Sequence, residues 1–182
     1  SRAYQLPAVS ANEADGKDYV FRGPLVRRMS AEQFRDAVGA LTGVWYAKPA
    51  AQFVSPDGST NRFTANRAAL VPADTLQVAL GRPNREQVMT ARASAATTLQ
   101  ALELTNGAEL ADAFQRGAER NLVRPDKPDR VVKKLYETAL GRKPTRAEAK
   151  LASTLVGHPV QKTGVEDLLW SLTMLPEFQL IY

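Results

Sequence analysis

The sequence predicts a mainly α-helical domain of about six helices, and three kinds of signal carry that expectation. Capping boxes stand at Ser30 with Gln33, Thr97 with Gln100 and Thr145 with Glu148, each ahead of a run of helix-forming residues. Gly43, Gly107 and Gly141 follow three apolar runs, where a residue without a Cβ can end a helix. Between these signals, apolar residues recur three and four positions apart, as one buried face of a helix requires.

Residues 1–24 mix Pro7, Asn12, Gly16, Gly23 and Pro24 with three acidic residues and read as an extended arm, with Tyr4, Tyr19 and Phe21 as candidate anchors. Residues 25–182 then form the helical domain. Its first helix starts after Ser30, buries Phe34, Ala37, Val38 and Leu41, and turns Glu32, Arg35 and Asp36 to other faces. Residues 44–75 show aromatics and a Pro-Asp-Gly turn at 56–58 without a sustained period. They read as a long irregular segment with a short hairpin around Asp57 and Gly58.

The second helix follows Thr97, carries Leu99, Leu102 and Thr105, and stops at Asn106 and Gly107. Asn106 can also cap the next helix with Glu109 at its third position, so a very short connection makes the two helices neighbours. That third helix aligns Leu110, Phe114, Ala118 and Leu122. A fourth starts near Asp129 and ends at Gly141, with Val131, Val132, Leu135, Tyr136, Ala139 and Leu140 inward. After Thr145, Ala149, Ala152 and Leu155 form a small-residue face. Gly157, His158, Pro159 and Gly164 mark a loop, and Val165, Leu168, Leu169, Leu172 and Leu175 line the last helix. Beyond Pro176 an apolar tail of Phe178, Leu180, Ile181 and Tyr182 docks on the body.

Composition narrows the function without choosing it. The 182 residues contain no cysteine, which excludes disulfides, thiolate metal sites and a C-x-x-C-H haem attachment within this chain. No apolar run approaches the ~18 residues a membrane span requires. The net charge of +5 suits nucleic acid, an anionic polysaccharide or an acidic protein. The positive residues are scattered as pairs, which disfavours nucleic acid. His158 is the only histidine, and neither a G-x-S-x-G elbow, a phosphate loop nor a dinucleotide fingerprint accompanies it. No catalytic residue and no metal ligand is assigned.

The arginines are the better binding candidates. Arg82, Arg85 and Arg92 flank a segment that could offer guanidinium forks to carboxylate or sulfate, and Arg27, Arg28 and Arg35 could join them if the first helix packs nearby. Trp45 and Tyr46, in the irregular segment, are the aromatic candidates. Each has a structural alternative that outweighs it: arginines tether loops through backbone carbonyls, and aromatics pin loops to a core. Ala79-Leu-Gly-Arg-Pro83 is echoed by Ala139-Leu-Gly-Arg142, which local helix-ending chemistry explains without a repeat.

The series Ser1-Arg-Ala-Tyr-Gln-Leu6, Arg27-Arg-Met-Ser-Ala-Glu-Gln-Phe-Arg-Asp-Ala37, Gly81-Arg-Pro-Asn-Arg-Glu86, Thr97-Thr-Leu-Gln-Ala-Leu102, Asn106-Gly107, Leu140-Gly-Arg142, Leu168-Leu-Trp-Ser-Leu172 and Pro176-Glu-Phe178 resembles a domain of unknown function, of the 1553 type. That domain is typical of the C-terminal part of large secreted proteins of planctomycetes and verrucomicrobia, often downstream of cytochrome-c-like domains. The resemblance implies an extracytoplasmic location, a longer parent with a signal peptide, and haem in the parent's upstream region rather than in this chain. It also implies that Ser1 falls inside the family domain. Many relatives carry cysteines in the segment matching Gln87 to Ala93, where this chain has none.

Three functional readings follow, in this order of preference. The first is a non-catalytic interaction or structural module whose partners are neighbouring domains of its parent, a cytochrome-c-like domain among them. The second is binding of an anionic polysaccharide through Trp45, Tyr46 and the arginines. The third is part of a hydrolase or redox enzyme whose site lies partly in the parent's remainder.

Overall fold

The computed structural model describes residues 2–10, 21–46, 66–83, 96–122 and 127–182, and its fold is mainly helical. Strand β1 (Arg27–Arg28) leads into helix α1 (Ala31–Thr42). Then come α2 (Thr75–Ala79), α3 (Thr98–Asn106), α4 (Ala108–Leu122), α5 (Pro128–Leu140), α6 (Arg146–Val156) and α7 (Lys162–Met174). The short helix α8 (Pro176–Gln179) and strand β2 (Leu180–Ile181) finish the chain.

All three capping boxes form: Ser30, Thr97 and Thr145 each accept from the backbone three residues on, and Gln33, Gln100 and Glu148 reach back to the cap. Gly43 and Gly141 end α1 and α5 in the left-handed region, at φ 72° and 66°. Gly107 ends α3 at φ −65°, so it works as a one-residue connector to α4 rather than as a left-handed cap. Arg120 donates to the Gly43 carbonyl, bringing a cation to the negative end of α1.

Helix α4 lies against both α1 and α7, while α6 packs on α5 and α7. The core is the joint product of Phe34 and Val38 from α1, Leu110 and Phe114 from α4, Val132 and Leu135 from α5, and Leu168, Leu169 and Leu172 from α7. Phe34 meets Phe178 of α8 edge to face, with ring centroids 5.8 Å apart. Close crossings rest on glycine: a Cβ on Gly117 of α4 would stand 2.8 Å from Thr42 Cβ of α1.

The tail docks, and it does so as a strand. Arg27 pairs with Ile181 and Arg28 with Leu180 in an antiparallel ladder that the Met29 amide extends by donating to the Gln179 carbonyl at 2.9 Å. Tyr182, by contrast, is exposed. In the arm, Val9 and Leu25 form a parallel bridge, and Phe21 is exposed rather than an anchor. The expected contributions of Tyr4 and Tyr19 lie outside the described side chains.

Several sequence expectations need correction. Arg35 is buried, not turned outward and not free to join the other arginines, because the Val44–Tyr46 stretch covers its side of α1. On α3 the buried positions are Gln100 and Leu104, whereas Leu99 and Leu102 face solvent. On α6 the packed face is Ala152 and Val156, and Leu155 is exposed. Gly164 is no loop residue: α7 starts at Lys162, and Gly164 sits buried where α7 touches the end of α6. Pro176 stops α7 and also occupies the first turn of α8, where its missing N–H is harmless. The irregular segment contains the 3₁₀ turn Ala68–Leu70 and gives way at Thr75 to α2, while the expected hairpin at Asp57 and Gly58 lies outside the described residues.

Candidate functional site

The described candidates divide into a polar network beneath α1 and α2 and two surface clefts. The network starts at Asp74, which caps α2 by accepting from the Gln77 amide at 2.7 Å. Its other carboxylate oxygen accepts from the Tyr46 hydroxyl. Gln77, fully buried, donates from Nε2 to that hydroxyl at 2.7 Å and accepts from Arg82 at Oε1. Arg82 donates further to the carbonyls of Ala68 at 2.7 Å and Val71 at 2.8 Å, and its Nε lies 3.7 Å from Glu32 of α1. With its side chain 6% exposed, Arg82 ties the 3₁₀ turn, α2 and α1 together.

Arg35 stacks its guanidinium 4.5 Å from the Tyr46 ring centroid and donates to the Val44 carbonyl at 3.2 Å, while its buried Nε has no hydrogen-bond partner among the described residues. Burial pushes the Tyr46 hydroxyl well above the ordinary tyrosine range, with Asp74 adding to the rise and the Arg35 charge opposing it. Glu109, in the first turn of α4, is also raised, first by burial and then by Asp74, again against Arg35. Asn66 brings the chain back beside Tyr46: its amide and its side-chain Nδ2 both donate to the Tyr46 carbonyl at 3.0 Å. Asp36 accepts from the Ala68 amide at 2.8 Å and pairs with Arg67 at 3.2 Å.

Of the residues singled out from the sequence, the network therefore brings together Tyr46 and Arg82 through Gln77. Trp45 packs beside it over Gly39, where a Cβ would sit 2.9 Å from the indole. Arg27 and Arg28 lie apart, on β1; Arg27 is exposed, and Arg28 donates to Gln100 Oε1 at 3.2 Å. Arg85 and Arg92 lie outside the described residues. Asp74 and Gln77 were not singled out, although their Asp-x-x-Gln spacing is itself a capping signal.

The Gly-Arg echo has a common geometry. Gly81 and Gly141 both have positive φ, 86° and 66°, and the arginine after each turns back as a multiple donor. Arg142 grips Glu148 through two bonds of 2.9 and 2.8 Å and Glu177 through two of 2.8 and 3.0 Å, joining α6 to α8. Those bonds hold Glu148 at about 2, far below the usual carboxylate range, and lower Glu177 as well.

The first cleft, of about 400 Å³, opens between the α3–α4 junction and α7. Leu104, Leu110 and Phe114 are its buried floor, and Trp170 of α7 forms a wall with Glu166 and Asp167 alongside. The second is wider and lies between the start of α5 and the end of α6, where Ser153 donates to Asp129 at 2.8 Å and exposed His158 stands at the rim. Among the described residues no helix is long and apolar enough to cross a membrane.

No curated protein and no solved structure matches the chain. One family does: the model of PSD1, described as a protein of unknown function (DUF1553), matches residues 1–156. The chain thus belongs to that family, and α7 and α8, which complete its core, lie with β2 beyond the matched residues.

Proposed function

We propose that this domain is a non-catalytic interaction module that docks on a neighbouring domain of a longer, secreted parent protein. The observation that carries the reading is on α6. Leu151 and Leu155 stand one turn apart, about 100° around the helix from the packed Ala152 and Val156, and Leu151 is 73% exposed. Helix α3 repeats the pattern with exposed Leu99 and Leu102. Large apolar side chains paired on the outside of a helix favour contact with another protein surface. Of the side chains that sequence reading favours for binding, Arg82 and Tyr46 are engaged inward through Gln77 and Asp74 and hold the fold together. In the family resemblance, the partner is a cytochrome-c-like domain upstream.

The test is to express the region encoded upstream in the same reading frame and mix it with this chain. Association that drops about tenfold or more in a Leu151→Glu, Leu155→Glu double variant with an unchanged circular dichroism spectrum supports the reading. No association of the two wild-type parts, or no upstream region at all, overturns it. A haem absorption band in the upstream part identifies the partner's type.

A further inference from the structure

We propose that the cleft between the α3–α4 junction and α7 binds an organic cation on a short apolar stem, the chemistry shared by a lysine or arginine side chain and a free amine. The argument starts with Trp170. It belongs to the same helix as Leu168 and Leu169, which are buried, yet it stands about 100° around the helix from Leu169 and is 40% exposed. Its indole N–H is already committed, donating to the Leu104 carbonyl at 3.1 Å. That bond fixes the ring against the end of α3 and leaves the aromatic surface, not a donor, for a ligand. An indole face is the best aromatic partner for a cation.

The rest of the cleft has the same preference. Leu104, Leu110 and Phe114 supply an apolar floor for a methylene stem. Glu166 and Asp167 line the cleft one turn before Trp170 on α7, and no lysine or arginine does so among the described residues. Glu166 has a loose partner in Lys162 at 3.9 Å, but that ammonium is held by Glu119 at 2.7 Å. Asp167 is exposed and enters no ion pair among the described residues. In a chain of net charge +5 this hollow is opposite in sign to the whole, so a cation gains from its walls what an anion loses. The volume of about 400 Å³ accommodates a side chain or a small amine, and the single-residue link at Gly107 fixes the angle of two of its walls. None of these residues belongs to the α6 surface, so either idea can fail alone.

The experiment uses the whole chain at low salt and follows the Trp170 indole N–H resonance together with calorimetry. The probes are n-butylammonium, acetyl-lysine-methylamide and acetyl-glutamate-methylamide. The expected result is saturable, salt-sensitive binding of the two cations and none of the glutamate compound. Affinity then falls about tenfold in a Glu166→Gln, Asp167→Asn variant whose melting temperature is unchanged. Tighter binding of the lysine compound than of the amine points to a protein side chain as the natural ligand, and equal binding to a free amine. Absence of saturation, equal binding of the glutamate compound, or affinity that survives the double variant overturns the proposal.

Discussion

Gly164, in the first turn of α7, faces the Leu155 carbonyl at the end of α6 so closely that a Cβ there would also stand 2.8 Å from Val156 Cα. Both neighbours are backbone and cannot rotate away. Gly164→Ala is therefore expected to destabilise by about 1–3 kcal/mol, although alanine is worth up to about 1 kcal/mol more than glycine inside a helix. Urea unfolding of the variant measures the balance. A stabilised protein would show that α6 and α7 separate easily.

Arg82 joins more buried acceptors than the other polar side chains of the network, so its replacement is expected to weigh heavily. Replacement by Ala leaves Gln77 Oε1 and the Val71 carbonyl without the guanidinium donor in a buried setting and the Ala68 carbonyl with only the Val71 amide, a loss of about 3 kcal/mol. Arg82→Lys keeps the charge but not the fork, so it should recover only part of that loss. Denaturant midpoints of the two variants, measured side by side, check the order.

Tyr46→Phe removes one hydroxyl from between Asp74 and Gln77 and is expected to destabilise by about 1–3 kcal/mol. It also changes the pH profile. Because burial raises the folded-state pKa of Tyr46, its contribution is fully present below the unfolded tyrosine value of about 10 and is lost as pH rises beyond it. Thermal melts between pH 8 and 11 should fall less steeply for the phenylalanine variant, by way of about one titrating group.

At the acid end the sign reverses. Glu148 is held at about 2 against 4.5 by Arg142 and the Thr145 cap, so its contribution is present above pH 4.5 and disappears as pH falls toward 2. Arg142→Gln should flatten that acid limb, and Glu177, lowered by the same guanidinium, moves with it. Melting temperature against pH for the two proteins decides: parallel curves below pH 4.5 would mean that the clamp contributes nothing there.

A chain cut after Val156, where the family match ends, should not fold. It lacks Val165, Leu168, Leu169, Leu172 and Phe178, five core side chains of which each large one is worth about 1.5–3 kcal/mol when buried. Far-ultraviolet circular dichroism and one-dimensional NMR of that fragment are expected to show low helicity and no dispersion. A cooperatively folded fragment would contradict the placement of α7 in the core.

What the sequence made legible is local. Ser30, Thr97 and Thr145 announce helix starts because the cap bonds span only three residues, and Gly43 and Gly141 announce ends for the same reason. Orientation was harder. On α3 the spacing of Leu99 and Leu102 does not say which way they face; they are exposed, and Gln100 is inward because it both completes the capping box and accepts from Arg28, 72 positions away. Arg35 reads as solvated, and only the fold shows the Tyr46 ring beneath it. At five residues α2 is too short to display a period, although Asp74 and Gln77 mark its start. Trp170 hides in an apolar run, Leu168-Leu-Trp-Ser-Leu172, and its departure from the stripe by one position is the signal that points to the cleft.

The pairing of Arg27 and Arg28 with Leu180 and Ile181 has a consequence for the order in which the molecule is made. Of these elements a ribosome delivers β1 and α1 before β2, and α7, which completes the core around α4, also emerges after most of its partners. Until then Phe34, Leu110 and Phe114 have no finished interior to enter, so the nascent chain carries uncovered apolar faces for most of its synthesis. Closure of the small ladder joins the first helix of the core to the last.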